Sequence, residues 1–486
     1  MSEYISTLWR ARDYETLLVE PFPYAIGAMV DEQPFADFAV DFIKECPKEL
    51  QAKYPIPMLR LVFFLLSGGK EKEADILMQQ IKSEIESIKD TQNRNNLLGE
   101  FMFIKAFFYY PNISKMLSAI EESDELSGGH VEVMDVDQPF LNQMTNPYCV
   151  FHTTPGKAEE EGEQYKRYIS IYSKLTGGGG VGSDILYDAG LCYYRGDFTA
   201  AKLLYYKSEY LAETKRQVFT QLGAVHMLAL IAMHEMDNDT FSKAVETLDE
   251  IANSRPEIAE KIQYVLEIER TDLFQEISIK DHTPEWIQKG KVPVAISVLG
   301  VPYIKFQQMR YFFCSDKFEQ CIGLGEALLN GGHQYGLLVK AIIGMYVAFS
   351  YMTLGHIDKG ISLFKESFPP LFKDKLYLVF TYFYEHMDGI LDDYLKENYP
   401  DDVGAIDKQM KQNLKGRIKF MHTFLDETNS LTQKELEVAT LAAEGLQNKE
   451  ISERLGISVN TVRTHLRQVF EKLEIDRRSE ISKLLK

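Results

Sequence analysis

The residues whose types and spacing suit a chemical task lie close to the end of the chain. Asn460, Arg463, Thr464 and Arg467 fall at i, i+3, i+4 and i+7, so a helix carries all four on one face, with no acidic residue among them. That set fits a DNA major groove, where guanidinium forks bond guanine edges and a threonine methyl meets a thymine methyl. Val462, Leu466, Val469, Phe470 and Leu473 recur at i, i+4, i+7, i+8 and i+11, an apolar stripe that can seat the helix on a core. The plainer use of such a pattern is an amphipathic surface helix whose basic face is only solvated.

The elements that must position this helix are legible just before it. Ile451 and Leu455 lie four apart on a shorter helix, Gly456 suits its left-handed C-terminus, and Ser458 is a good N-cap for the next. Thr432-Gln-Lys-Glu435 reads as a capping box, followed by the helical apolar set Val438, Leu441 and Ala442 and by Gly445. Three short helices in this order make a helix-turn-helix core.

Residues 431–476 resemble the LuxR-type DNA-binding domain. The matching residues are Leu431-Thr432, Glu435, Val438, Gly445, Asn448-Lys449-Glu450-Ile451, Leu455, Ile457-Ser458, Thr461-Val462, His465, Lys472-Leu473 and, just beyond, Arg477. The resemblance implies that Arg463, Thr464 and Arg467, with Asn460 on the same face, meet bases. It implies that Lys449, Ser458, Thr461, His465 and Lys472 meet phosphates, which fix register without reading sequence. Two residues depart from the family pattern. Gln447 stands where Ser or Thr is usual, which predicts a weaker N-cap, and Arg463 replaces the more frequent Lys and adds bidentate geometry.

Charge separates this segment from the rest. The 486 residues carry a formal net charge of −19, yet residues 431–486 hold ten Lys/Arg against nine Asp/Glu, leaving 43 against 63 in the first 430. An acidic body of that size repels a phosphate backbone and leaves DNA contact to the tail. The five cysteines (Cys46, Cys149, Cys192, Cys314, Cys321) form no Cys-x-x-Cys pair and read as reduced, buried thiols of a cytoplasmic protein. The start of the chain has no apolar core of signal-peptide length, and the apolar segment Ala341–Gly355 is too short to span a bilayer comfortably, so no membrane role is expected.

From about residue 5 to 400 the spacing is helical, and a turn followed by a small or apolar residue recurs. The instances end at Ala74, Met116, Ala201, Ala244, Cys321 and Gly360, at intervals of 42, 85, 43, 77 and 39. These are about one or two multiples of 40, the period of helix-hairpin repeats somewhat longer than tetratricopeptide units. The runs from Cys46 to Ala74, Tyr172 to Gly182, Tyr187 to Ala201 and Gln217 to Glu250 are similar to the helical superhelix of the maltose-regulon activator group. That group places an NTPase module first, this sensor next and a LuxR-type domain last; the reading here is sensor plus effector without the first module.

No other chemistry is expected. Thr176-Gly-Gly-Gly-Gly-Val-Gly-Ser-Asp184 has the glycine spacing of a P-loop, but Ser183 and Asp184 stand where Lys and Ser/Thr are needed, so it reads as a flexible loop into a hairpin. Residues 123–165 read as an irregular surface insertion, with a ligand cap as the sharper alternative. The histidines look scattered, without ligand or catalytic grouping. The aromatic clusters read chiefly as core packing, some of them being available to stack on a sugar, a peptide or another planar ligand.

The expectation is therefore an all-α chain: a tetratricopeptide-like helical-repeat superhelix at 1–400, a helical linker at 401–430, and a small four-helix LuxR-type helix-turn-helix domain at 431–486, in which Ser479–Lys486 begins the fourth helix. The function expected is a sequence-specific transcription regulator, by analogy an activator engaging RNA polymerase. Its body would sense a small-molecule or peptide effector or a protein partner, and it would pair as a homodimer on double-stranded DNA. No enzymatic activity, cofactor or metal is expected. The alternative is an adaptor whose repeats bind a partner, such as a separate NTPase, with DNA binding secondary.

Overall fold

Apolar residues at 3/4 spacing give helices almost throughout, as that periodicity dictates. The computed structural model describes residues 2–20, 29–30, 33–134, 136, 146–254, 259–276, 282–293, 300–331, 335–383, 390–409, 431, 433–443, 445–473, 475, 478 and 481. The first helices are α1 (Ser2–Arg10), α2 (Tyr14–Val19), α3 (Phe35–Glu45) and α4 (Lys48–Lys53). Between α2 and α3 lies a two-residue antiparallel pair, β1 (Met29–Val30) with β2 (Gln33–Pro34). Next come α5 (Pro55–Ser67), α6 (Glu71–Glu86), α7 (Thr91–Phe107), α8 (Ile113–Ser127), α9 (Tyr148–Phe151) and α10 (Ala158–Leu175). They are followed by α11 (Ser183–Tyr194), α12 (Phe198–Thr214), α13 (Val218–Glu235), α14 (Asn238–Ala252), α15 (Ala259–Glu276) and α16 (Glu285–Gln288). The body closes with α17 (Val301–Cys314), α18 (Phe318–Asn330), α19 (Leu337–Thr353), α20 (Ile357–Ser367), α21 (Leu378–Phe383), α22 (Ile390–Asn398) and α23 (403–409).

The six recurring turns each join two helices that pack side by side: α5 with α6, α7 with α8, α11 with α12, α13 with α14, α17 with α18, and α19 with α20. Five of the six turns hold a residue at positive φ: Gly69, Gly196 and Gly355, and at two sites the non-glycines Met236 and Asp316. The residue that ends each recurring pattern is buried in the second helix of its pair. Gly360 shows why smallness counts, because a Cβ there would lie 2.6 Å from the Ala348 carbonyl oxygen and 2.4 Å from Met352 Cγ. A closely approached helix pair has no room for more.

Two expectations need correction. Within 123–165, residues 123–127 complete α8 and 158–165 begin α10, while Tyr148, Val150, Phe151 and His152 are buried in the core and form no surface loop. His152 anchors this stretch, with Nδ1 2.8 Å from Glu161 Oε2 and Nε2 3.4 Å from Asp374 Oδ2. Residues 135 and 137–145 of that insertion lie outside the described residues.

The glycine-rich loop is packed in place. Gly180 N–H donates to Gln217 Oε1 at 2.8 Å, and Ser208 Oγ donates to the Gly182 carbonyl at 2.8 Å. At Gly182, with φ +90°, a Cβ would meet the Ser208 carbonyl oxygen at 2.8 Å. Its glycines thus serve a tight helix approach.

Among the described residues the helix long and apolar enough to cross a membrane is α13, not the stretch at 341–355, and 89% of it is buried inside the body. Its apolar residues go into a core shared with α11, α12, α14 and α15. The cysteines are free thiols, and burial pushes Cys46 up to about 11 and Cys149 and Cys321 up to about 12.

Candidate nucleic-acid interface

Three helices near the C-terminus, α24 (Gln433–Ala443), α25 (Asn448–Leu455) and α26 (Val459–Lys472), enclose a core of their own. Val438, Ile451, Val462, Leu466 and Val469 meet there, joined by Ile481. The turn between α25 and α26 has the features its residues call for. Gly456 ends α25 in the left-handed region at φ 66°, ψ 30°, and Ser458 Oγ accepts the Thr461 N–H at 3.0 Å to open α26. The cap of α25 is better than Gln447 suggested, because the Glu450 carboxylate reaches back and accepts the Gln447 N–H at 2.6 Å. Thr432, one half of the other expected capping box, lies outside the described residues, as do Arg477 and all of the fourth helix except Ile481.

The face opposite the core carries the four residues chosen for base contact. Arg463 is exposed, and Asn460, Thr464 and Arg467 are partly exposed. The Thr464 hydroxyl donates to the Asn460 carbonyl at 3.1 Å. Arg467 Nε lies 3.3 Å from Glu471 Oε1, one turn further along, so an acidic residue does border this face. Lys449 is exposed in the first turn of α25, and Ser458 is partly exposed at the helix junction.

The remaining phosphate candidates lie deeper. Thr461 and His465 are buried, Thr461 Oγ1 being 2.9 Å from Ser458 Oγ. Their spacing puts them at the margin of the apolar stripe. His465 Nδ1 is buried with no hydrogen-bond partner among the described residues. Lys472 is mostly buried, with Nζ 2.5 Å from Glu435 Oε2. Sequence reasoning missed Glu471, and it missed Arg478, which donates to Asn448 Oδ1 at 2.5 Å and to the Leu446 carbonyl. Only the i, i+4 spacing of Arg467 and Glu471 offered a signal.

Residues 429–485 match the family described as bacterial regulatory proteins, luxR family. The C-terminal domain is a luxR-family helix-turn-helix domain. Similar proteins include the transcriptional regulatory protein LiaR of Bacillus subtilis, 47% identical over 51 residues, which is 10% of this chain and 24% of that protein. The monoamine regulon transcriptional regulator of Klebsiella aerogenes is 47% identical over 51 residues, 10% of this chain and 22% of its own length. The transcriptional regulatory protein DesR of Bacillus subtilis is 40% identical over 62 residues, 13% of this chain and 31% of its own. This chain therefore spans about a quarter to a third of the length of these relatives. No solved structure matches the chain. Double-stranded DNA is the ligand class that such a domain implies.

The body holds a second candidate site, a cavity of about 120 Å³ lined by residues from α11, α13, α15, α17, α19 and α21 and by Asn146 and Cys149. Tyr193, Tyr194, Tyr303, Phe306, Tyr346 and Phe383 are on its walls, whereas Tyr165, Tyr168 and Tyr187 are sealed in the core. The structure thus sorts the aromatics into lining and packing sets.

Proposed function

We propose that this chain is a sequence-specific transcription regulator whose tetratricopeptide-like body senses a small ligand or a protein partner and controls the luxR-family domain. The observation that carries the reading is the face of α26, where Asn460, Arg463, Thr464 and Arg467 stand opposite an apolar back buried on α24 and α25. In this reading those four meet base edges, and Lys449, Ser458, Thr461, His465 and Lys472 adjoin phosphates. The protein works in the cytoplasm as an activator that engages RNA polymerase. Effector binding shifts the body toward an arrangement that pairs two domains on half-sites about one helical turn apart.

The acidic body supports this division of labour, since its field repels DNA and leaves only the near-neutral C-terminal segment to approach it. Selection of DNA from a random pool by the full chain tests the proposal. A two-fold symmetric motif, lost with Arg463→Ala, is the expected result; no enrichment would sink it.

One observation favours a second reading, the protein-interaction adaptor. Leu203, Tyr206 and Tyr210 are exposed at i, i+3 and i+7 on α12. An apolar stripe of this kind suits a protein contact, and a separately encoded NTPase is the partner class that the adaptor reading names. Failure of the DNA selection together with capture of such a partner would favour it.

A further inference from the structure

The cavity in the body lies where separate parts of its core meet. Among the described residues its walls draw Tyr303 and Phe383 from the largest hydrophobic cluster, Met227 and Leu230 from the cluster around α13, and Ile268 and Ile304 from a small third one. The gap is left at their junction. Side chains that border a gap lose the dispersion contacts a neighbour would give, so a molecule that fills it restores them to all three clusters at once.

The polar groups on the wall select the ligand's charge. His226 Nδ1 lies 2.7 Å from Glu269 Oε2, and its Nε2 lies 3.3 Å from Asp272 Oδ2. Arg310 pairs with Asp272 and reaches Glu276 Oε2 at 3.2 Å. The Tyr193 hydroxyl is 2.8 Å from His234 Nε2, and the Tyr303 hydroxyl meets the Tyr110 side chain and the Gly336 amide. These groups are answered by protein partners, so a charged ligand would give up its hydration and find no counter-charge waiting for it.

Most of the remaining wall is aliphatic or aromatic. Tyr346 and Phe383 already meet edge to face with centroids 4.9 Å apart, and Tyr194 and Phe306 add further rings. Such rings pack well against another ring, edge to face or offset. A volume of about 120 Å³ is close to that of apolar cavities which hold benzene. We propose that this cavity binds a small uncharged aromatic compound, a single benzene ring with at most a short neutral substituent. The proposal rests on the reading of the body as the sensor and names the class of effector.

The test uses the full chain, with toluene and benzyl alcohol as probes. Benzylammonium and benzoate, close to benzyl alcohol in shape, are the charged controls, and 1-pentanol is the open-chain control. Calorimetric titration should show saturable heat with either probe, and thermal unfolding a Tm that rises with probe concentration, with neither response to the controls. Ile342→Trp on α19 and Leu230→Phe on α13 fill the cavity without touching a charge, and each should abolish binding in a folded chain. In the parent chain the methyl resonances of Ile268, Ile304 and Leu338 should shift on saturation with benzyl alcohol, which locates the site without a substitution.

Equal binding of benzylammonium or benzoate overturns the exclusion of charge, and equal binding of 1-pentanol overturns the ring. Unchanged binding in a folded, filled variant, or methyl shifts confined to other residues, overturns the location. No binding of either probe to the parent chain overturns the proposal as a whole. DNA binding by the same preparations is read separately. A chain that binds the probes and selects no DNA keeps the site and loses the regulator reading, and the converse result keeps the regulator and loses the site.

Discussion

Lys472 Nζ lies 2.5 Å from Glu435 Oε2, joining the last turn of α26 to the first turn of α24 with both side chains mostly buried. The pair fixes the helix that faces DNA against the helix behind it. Removing one partner of a buried pair leaves the other charge uncompensated. Glu435→Ala should therefore lower the local stability of the domain by about 3 kcal/mol. Hydrogen exchange of the α26 amides in the full chain measures it, and an unchanged protection pattern would show that the pair is dispensable.

Arg463 is exposed on the outer face of α26, and Lys449 is exposed at the start of α25. Arg463→Ala should cost about 1–3 kcal/mol of specific affinity and relax one base position. Lys449→Ala should weaken all sequences alike and reduce the salt slope by about one. Binding titrations on a cognate and a scrambled duplex at several salt concentrations separate the two. A uniform loss with Arg463→Ala would remove it from the base-reading set.

Glu471 holds Arg467 through an ion pair of 3.3 Å on the face proposed to meet DNA. Its carboxylate also repels phosphates. Glu471→Gln should tighten binding to every duplex and steepen the salt slope by up to about one. A weaker, less selective complex would instead mean that the pair orients Arg467 for its base.

Gly360 faces Ala348 and Met352 at the crossing of α19 and α20, with no room for a Cβ. Gly360→Ala should destabilise the body by about 1–3 kcal/mol, the usual cost of overpacking. Denaturant unfolding followed by far-ultraviolet circular dichroism measures it.

His226 gives the body a pH dependence of definite sign. Burial works against its charge, but Glu269 and Asp272 outweigh burial and raise its pKa from 6.5 to about 10. A pKa raised on folding adds stability in full below the unfolded value, and that stability is lost as pH rises through the folded value. Asp272 runs the other way. Burial opposes its charge, yet Arg310 and His226 hold it well below the usual carboxylate range, so its contribution is present at neutral pH and lost only in strong acid. The stability advantage of the parent chain over His226→Gln should therefore shrink from about pH 7 to about pH 10. A constant difference across that range would show that the imidazole is neutral in the folded chain.

Much of the architecture was readable because it is local. Turn residues followed four to six positions later by a small or apolar residue marked six helix hairpins, since left-handed backbone eases a helix reversal at five of them and a close crossing such as that at Gly360 needs a small side chain. The helix-turn-helix was readable for the same reason: Gly456, Ser458 and the stripe from Val462 to Val469 act within a few turns of one another. The insertion and the glycine-rich loop were misread because their partners are remote. Asp374 bonds to the Gly156 amide across 218 residues of chain, and Gln217 bonds to Gly180 across 37.

The sequence by itself determined the helical hairpins, the acidic body and the face of α26 that is proposed to meet DNA, because periodicity, turn chemistry and charge are properties of neighbouring residues. Tertiary structure alone decided which rings line a cavity and which are sealed in the core. It also decided that His152 and His226, two of the histidines that look scattered along the chain, each stand between two carboxylates, and that Arg310 closes on Asp272 from 38 residues away. Such pairs form only when non-adjacent helices pack, and no local pattern encodes which faces will meet.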